Sequence, residues 1–194
     1  MCAGYMRLPK FHFGEELMVN EVSRLSADAA RAALHHLKML AEQRGNPGLR
    51  INVPLHSALM QVASALSSRD YSSYAWQIHV PDMTALLQAL APVFERRIAN
   101  SAFAGLTTDV QIGLYRETIA LRFSGGRLAE FANVAYQERG QIAFPPLQFI
   151  PLVLGWRCID ELRSAFPDVY VAPMWRLLLD TLFPKVSSFL YTVY

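Results

Sequence analysis

Three neighbouring segments near the start of the chain restrict its fold more than anything else in it. In Glu16–Val22 (ELMVNEV), Leu17, Val19 and Glu21 alternate with Met18, Asn20 and Val22, so the run reads as a strand buried on both faces. Ser26 then caps a helix predicted from Ala27 to Arg44, whose stripe of Ala30, Ala33, Leu34, Leu37, Leu40 and Ala41 recurs at helical spacing. Gly45-Asn46-Pro47-Gly48 stops it. Leu49–Leu55 (LRINVPL) alternates again and reads as a second strand. A strand that returns through a helix re-enters in the same direction, so the two are expected to pair in parallel. Ser57–Ser67 reads as a second helix, with Leu59, Val62, Ala63 and Leu66 on one side.

The polar run Ser67–Ser73 breaks this periodicity and marks a boundary between two domains, 1–72 and 73–194. Beyond it, Tyr74–Val80 reads as a strand. A helix from Met83 to Ala99 follows, capped by Asp82 and kinked at Pro92, with Glu95, Arg96 and Arg97 facing water. Val110, Ile112 and Leu114, then Ile119, Leu121 and Phe123, then Arg127–Ala132 give an antiparallel meander closed by the turn Ser124-Gly125-Gly126. Pro145 and Pro146 open a short helix through Leu154. A second helix covers Arg157–Ala165 and places Cys158 inside it as an inert buried thiol. Pro173 begins a third helix through Leu182. Phe189–Tyr194 (FLYTVY) reads as a terminal apolar strand. The fold class is α+β.

Composition narrows the partners. Of 194 residues 53% are hydrophobic and 18% charged, which excludes a disordered chain. A net charge of +2 gives no field that selects nucleic acid. Two cysteines at opposite ends make no disulfide framework, so the cytoplasm is the expected compartment. The longest apolar run, Phe144–Trp156, carries three prolines and falls short of the roughly 20 residues that span a bilayer.

Chemical motifs are sparse. His12, His35, His36, His56 and His79 show no metal-ligand spacing, and neither a nucleophile elbow nor a Walker loop occurs. Asp160-Glu161, with Arg157 and Arg163, reads as a solvated charged face. Gly125-Gly126 is a hairpin turn, and Gly45–Gly48 precedes a strand. Neither aims backbone amides at an anion as a helix N-terminus does. Aromatic side chains crowd the second half. Most are expected in the core, with Phe144, Phe149, Trp156, Phe189 and Tyr191 the candidates for lining an apolar ligand pocket.

The runs AFPPLQFIPLVLGWRCIDELRSAFPDVYV and LLLDTLFPKVSSFLYTVY resemble the C-terminal segment of multi-domain GNAT acetyltransferases of the enhanced-intracellular-survival type. In that family an FP…L…L…GYRS…EL…FPD…LFPK pattern marks a domain similar to sterol carrier protein. Phe144, Pro145, Leu147, Leu152, Gly155, Arg157, Glu161, Leu162, Phe166–Asp168 and Leu182–Lys185 match it. Trp156 stands where tyrosine is usual, and Cys158 where serine is. The likeness spans roughly Tyr74–Tyr194. The first 70 residues resemble the tail of a preceding GNAT-like domain, but SRLSADAA, without a glycine, occupies the place of the pyrophosphate loop.

The resemblance implies a partial, degenerate GNAT-like βαβα segment followed by a sterol carrier protein-like domain of antiparallel sheet and helices. It also implies that the chain binds no cofactor and is not active alone, acetyl-CoA and N-acetyl transfer belonging to the intact family enzyme. The expected role is oligomerisation and acceptor-pocket formation, with a homo-oligomer or an upstream GNAT catalytic domain as partner. By the same resemblance, the terminal carboxylate of Tyr194 corresponds to the family's general base. The alternative is a stand-alone carrier of a lipid-like apolar small molecule.

Overall fold

Two stretches of the chain condense separately. The computed structural model describes residues 4–10, 14–66, 69, 77–135 and 140–191. The described residues of Met1–Ala75 and Phe189–Tyr194 form one compact unit, and those of Trp76–Ser188 form the other. The described residues hold seven α-helices and sheets with both parallel and antiparallel pairs, a mixed α+β architecture.

The first unit is built on a strand–helix–strand crossover. β1 (Met6–Arg7), β2 (Leu17–Val19) and β3 (Glu21–Val22) precede α1 (Ala27–Gln43), β4 (Leu49–Ile51) and α2 (Ala58–Ala65). β2 and β4 pair in parallel, Leu17 opposite Leu49 and Val19 opposite Ile51, as the crossover requires. The long strand expected at Glu16–Val22 is split at the buried Asn20, whose backbone N–H donates to the Arg7 carbonyl at 3.2 Å. The chain thus leaves β4 as a partner and takes up β1, with β3 pairing antiparallel, Met6 opposite Val22. Leu34, Leu37 and Ala41 of α1 close over Leu17, Val19, Val53 and Leu59 to make this unit's core.

The second unit is larger. α3 (Met83–Ala89) and α4 (Ala91–Ala99) replace the single kinked helix expected there. Pro92 cannot donate the i−4 hydrogen bond, so Leu90 ends one helix and Pro92 occupies the first turn of the next. Two of the three charges expected to face water are used internally. Glu95 Oε1 accepts the Leu128 N–H at 3.0 Å, and Arg97 Nη1 donates to the Leu182 carbonyl. The strand expected over Tyr74–Val80 is absent from Gln77–Val80, and its first three residues lie outside the described residues.

β5 (Thr108–Gly113), β6 (Thr118–Ser124) and β7 (Arg127–Val134) form the expected meander, with Gly125 and Gly126 at positive φ in its second turn. β8 (Ile142–Ala143) joins β5 in parallel and β9 (Tyr170–Val171) completes the order β7-β6-β5-β8-β9. α5 (Pro146–Val153), α6 (Ile159–Ala165) and α7 (Pro173–Leu182) complete the unit. One face of the sheet, with Val110, Ile112, Ile119, Leu121 and Phe123, packs on Phe94, Ile98, Phe149, Leu162, Leu179 and Phe183. Fully burying side chains of this size stabilises by about 1.5–3 kcal/mol each, so this sheet–helix core dominates the unit.

Cys158 does not lie inside a helix. It is the N-cap of α6 and only partly buried, because the turn through Gly155 (φ 66°) ends α5 before it. Its N–H donates to Glu161 Oε2 at 2.9 Å. Asp160 and Glu161 are correspondingly more than a solvated face. Asp160 pairs with Arg176 at 2.7 Å and Glu161 with Lys185 at 2.5 Å. The hydrogen bond from Lys185 is the main reason the Glu161 carboxyl is held down at about 2, with the Cys158 amide second.

Candidate functional site

Chemistry can enter where polar groups converge on open space. In the first unit such a recess, of about 290 Å³, lies where β3 runs into α1 and where β4 leads into α2. Its walls include Arg24, Pro54, His56, Ser57, Gln61 and Tyr191. The carboxyl ends of parallel strands and the N-termini of the helices that follow them are the usual anion-binding corner of a strand–helix–strand unit. Here α1 follows the antiparallel β3 rather than β2, and a side chain takes one amide at each helix start. Ser26 Oγ accepts the Ala29 N–H at 3.2 Å, and Asp28 sets a carboxylate in the same first turn. Ser57 Oγ accepts the Met60 N–H at 3.3 Å. Ser23, Arg24 and Leu25 link strand to helix, so side chains stand where a bare loop would let a diphosphate approach the backbone.

The second unit holds another recess, of about 250 Å³, on the sheet face turned away from the core. Asp109, Gln111 and Gly113 alternate with the core residues Val110 and Ile112, so strand periodicity alone puts them on that face. Gly113 pairs with Thr118 across the ladder, and the missing side chain leaves space beside the threonine. Thr118 is 2% exposed and borders the recess, and its Oγ1 has no hydrogen-bond partner among the described residues. Gln141, just before β8, and Trp175, in the first turn of α7, complete the wall, and the indole N–H donates to Gln141 Oε1. Beside it, Arg122 is held by Glu130 at 2.6 Å and by Asp109 at 3.3 Å.

The residues singled out from sequence fall in different places. Phe144 and Phe149 are fully buried, with ring centroids 5.3 Å apart, and Phe149 packs edge-on against Phe183 at 5.6 Å. They fill the core of the second unit and border neither recess. Trp156 belongs to the same unit and is 56% exposed. Phe189 and Tyr191 belong to the first unit and meet edge-on at 5.0 Å. Residues 189–191 form no strand, although Tyr191 borders the first recess. Tyr194 and its carboxylate lie outside the described residues.

Sequence reasoning missed Gln111, Thr118, Gln141 and Trp175. Alternation could have placed Gln111 and Thr118 on the outer face. Gln141 and Trp175 reach it only through β8 and α7, which no local pattern connects to the meander. Among the described residues, no group of three or more His, Cys, Asp or Glu is placed to hold a metal ion, and no helix is long and apolar enough to cross a membrane. Comparison of the chain with family models, with curated proteins and with solved structures gave no match.

Proposed function

We propose that this chain is the non-catalytic, C-terminal part of a cytoplasmic GNAT-type N-acetyltransferase. Its first unit is a degenerate GNAT-like segment and its second a sterol carrier protein-like domain. It serves oligomerisation and acceptor-pocket formation, and the intact enzyme takes acetyl-CoA elsewhere. One observation carries the proposal: at both helix starts of the first unit a serine side chain takes an amide, and no glycine opens the linker before α1. Ser26 and Ser57 each engage one amide of the two helix starts, and Asp28, paired with Arg31, places a carboxylate beside the first of them. The residue pattern from Phe144 to Lys185 supports the family assignment. Exposed Met174 and Leu177 on one side of α7, with Tyr170 just before it, support an association surface.

The test combines light scattering with a turnover assay on the purified chain. An oligomer that releases no thiol from acetyl-CoA in the presence of a panel of amines is the expected result. A strictly monomeric chain, or thiol release above background, contradicts the proposal.

A further inference from the structure

The chain contributes to the first unit twice. It builds most of that unit from the described part of Met1–Ala75, leaves to form the second unit, and returns with Phe189–Tyr191. The returning residues are held unevenly. Just before them the chain is tied down within the second unit. The Val186 N–H donates to the Gly155 carbonyl at 2.9 Å, and Ser188 Oγ donates to the Leu154 carbonyl. Beyond Ser188 these ties stop. None of Phe189, Leu190 and Tyr191 makes a hydrogen bond to another described residue.

Their hold on the first unit is therefore through side chains alone. Tyr191 lines the recess there with Ser23, Arg24, His56 and Gln61, and Phe189 braces it edge-on at 5.0 Å. The Tyr5 hydroxyl is pushed above its ordinary value first by the Glu21 carboxylate it donates to and last by the Tyr191 phenol, so that phenol lies near the residue leading into β1. Leu190 and Tyr191 nonetheless remain 44% and 47% exposed. A segment with few buried contacts and no backbone hydrogen bonds opens at a far smaller free energy than its whole unit. The walls it leans on are secured without it. The Ser23 N–H donates to the Tyr5 carbonyl and the Gln61 N–H to the Ser57 carbonyl, both at 3.0 Å.

We propose that Phe189–Tyr191 is a strap, hinged at Ser188, that closes one side of the first unit's recess and swings away while the unit stays folded. Opening it widens the approach to Arg24, His56 and Gln61. Any molecule entering there competes with the strap, and its apparent affinity is reduced to the share of chains in which the strap is open.

Proteolysis of the folded chain by chymotrypsin, in urea below the unfolding transition, reads the hinge. Phe189, Leu190 and Tyr191 are cleavage sites, and mass spectrometry locates the cuts. Cutting there is expected at a rate that urea leaves nearly unchanged, because the opening exposes little new surface. Cutting at the buried Phe149 should instead rise steeply with urea. Hydrogen exchange of the uncut chain reads the cover. Tyr191→Ala should speed exchange of the Ser23 and Gln61 amides about three- to tenfold, the range for losing a half-buried ring. Leu190→Ala, which does not border the recess, should leave them unchanged. The proposal is overturned if tail cutting follows the urea dependence of Phe149, or if Tyr191→Ala leaves both amides exchanging as before.

Discussion

Truncating Phe149 to alanine separates a core residue from one that lines a ligand chamber. Phe149 is fully buried between Phe144 and Phe183, with ring centroids 5.3 and 5.6 Å away. Removing a buried phenylalanine ring costs about 3–5 kcal/mol through lost transfer energy and the cavity left behind. Each aromatic pair adds about 0.5–1.5 kcal/mol beyond area, which places Phe149→Ala in the upper part of that range. At a urea slope of about 2 kcal/mol per molar, the midpoint should fall by about 2 M. Trp156→Ala is the internal control. Its side chain is 56% exposed, so its loss should move the midpoint by under about 0.5 M. Urea titration followed by circular dichroism reads both. If Phe149→Ala costs no more than Trp156→Ala, the ring is not buried in a packed core and the account of this unit is wrong.

Three further outcomes follow from local geometry. The depressed Glu161 carboxyl contributes stability that is fully present above its ordinary pKa, near 4.5, and is lost as pH falls through about 2. Glu161→Gln should therefore flatten the fall of the urea midpoint between those pH values, and an unchanged profile would remove the Lys185 and Cys158 contacts from the account. Ser26→Ala deletes the cap on α1 and should destabilise by about 1 kcal/mol, read from the helical signal in a thermal melt, with Ser26→Asp restoring most of it. Gly155→Ala forces a Cβ onto Val186 Cγ2 and to 3.2 Å from the Pro184 carbonyl at φ 66°, and should lower the urea midpoint by more than Ser26→Ala does.

How much could be read in advance depended on how local the determinant was. Ser26, Asp82 and Pro173 announced helix starts because caps and first-turn prolines act within four residues. Gly125-Gly126 announced its hairpin for the same reason. The crossover of β2, α1 and β4 was legible because a helix between two strands leaves few topologies. Asn20 was not, since a strand that changes partners keeps its alternation and reveals the switch only in its pairing. Leu90–Pro92 was misread because a proline in a helical pattern can bend one helix or begin another, and the pattern is the same either way. The aromatic run Phe144–Trp156 suggested a pocket, yet Phe144 and Phe149 are core. Composition counts rings but does not say which way they point. The recess at Thr118 needed β5 and β6 in register and two residues from distant segments, which only the folded chain brings together.

The central claim concerns the start of α1, where Ser26 takes one helix amide, Asp28 adds a carboxylate paired with Arg31, and the linker carries no glycine to open the backbone to a diphosphate. Isothermal titration of the purified chain with coenzyme A tests it most directly. A heat trace indistinguishable from dilution is the predicted result. Saturable binding in the micromolar range would contradict it.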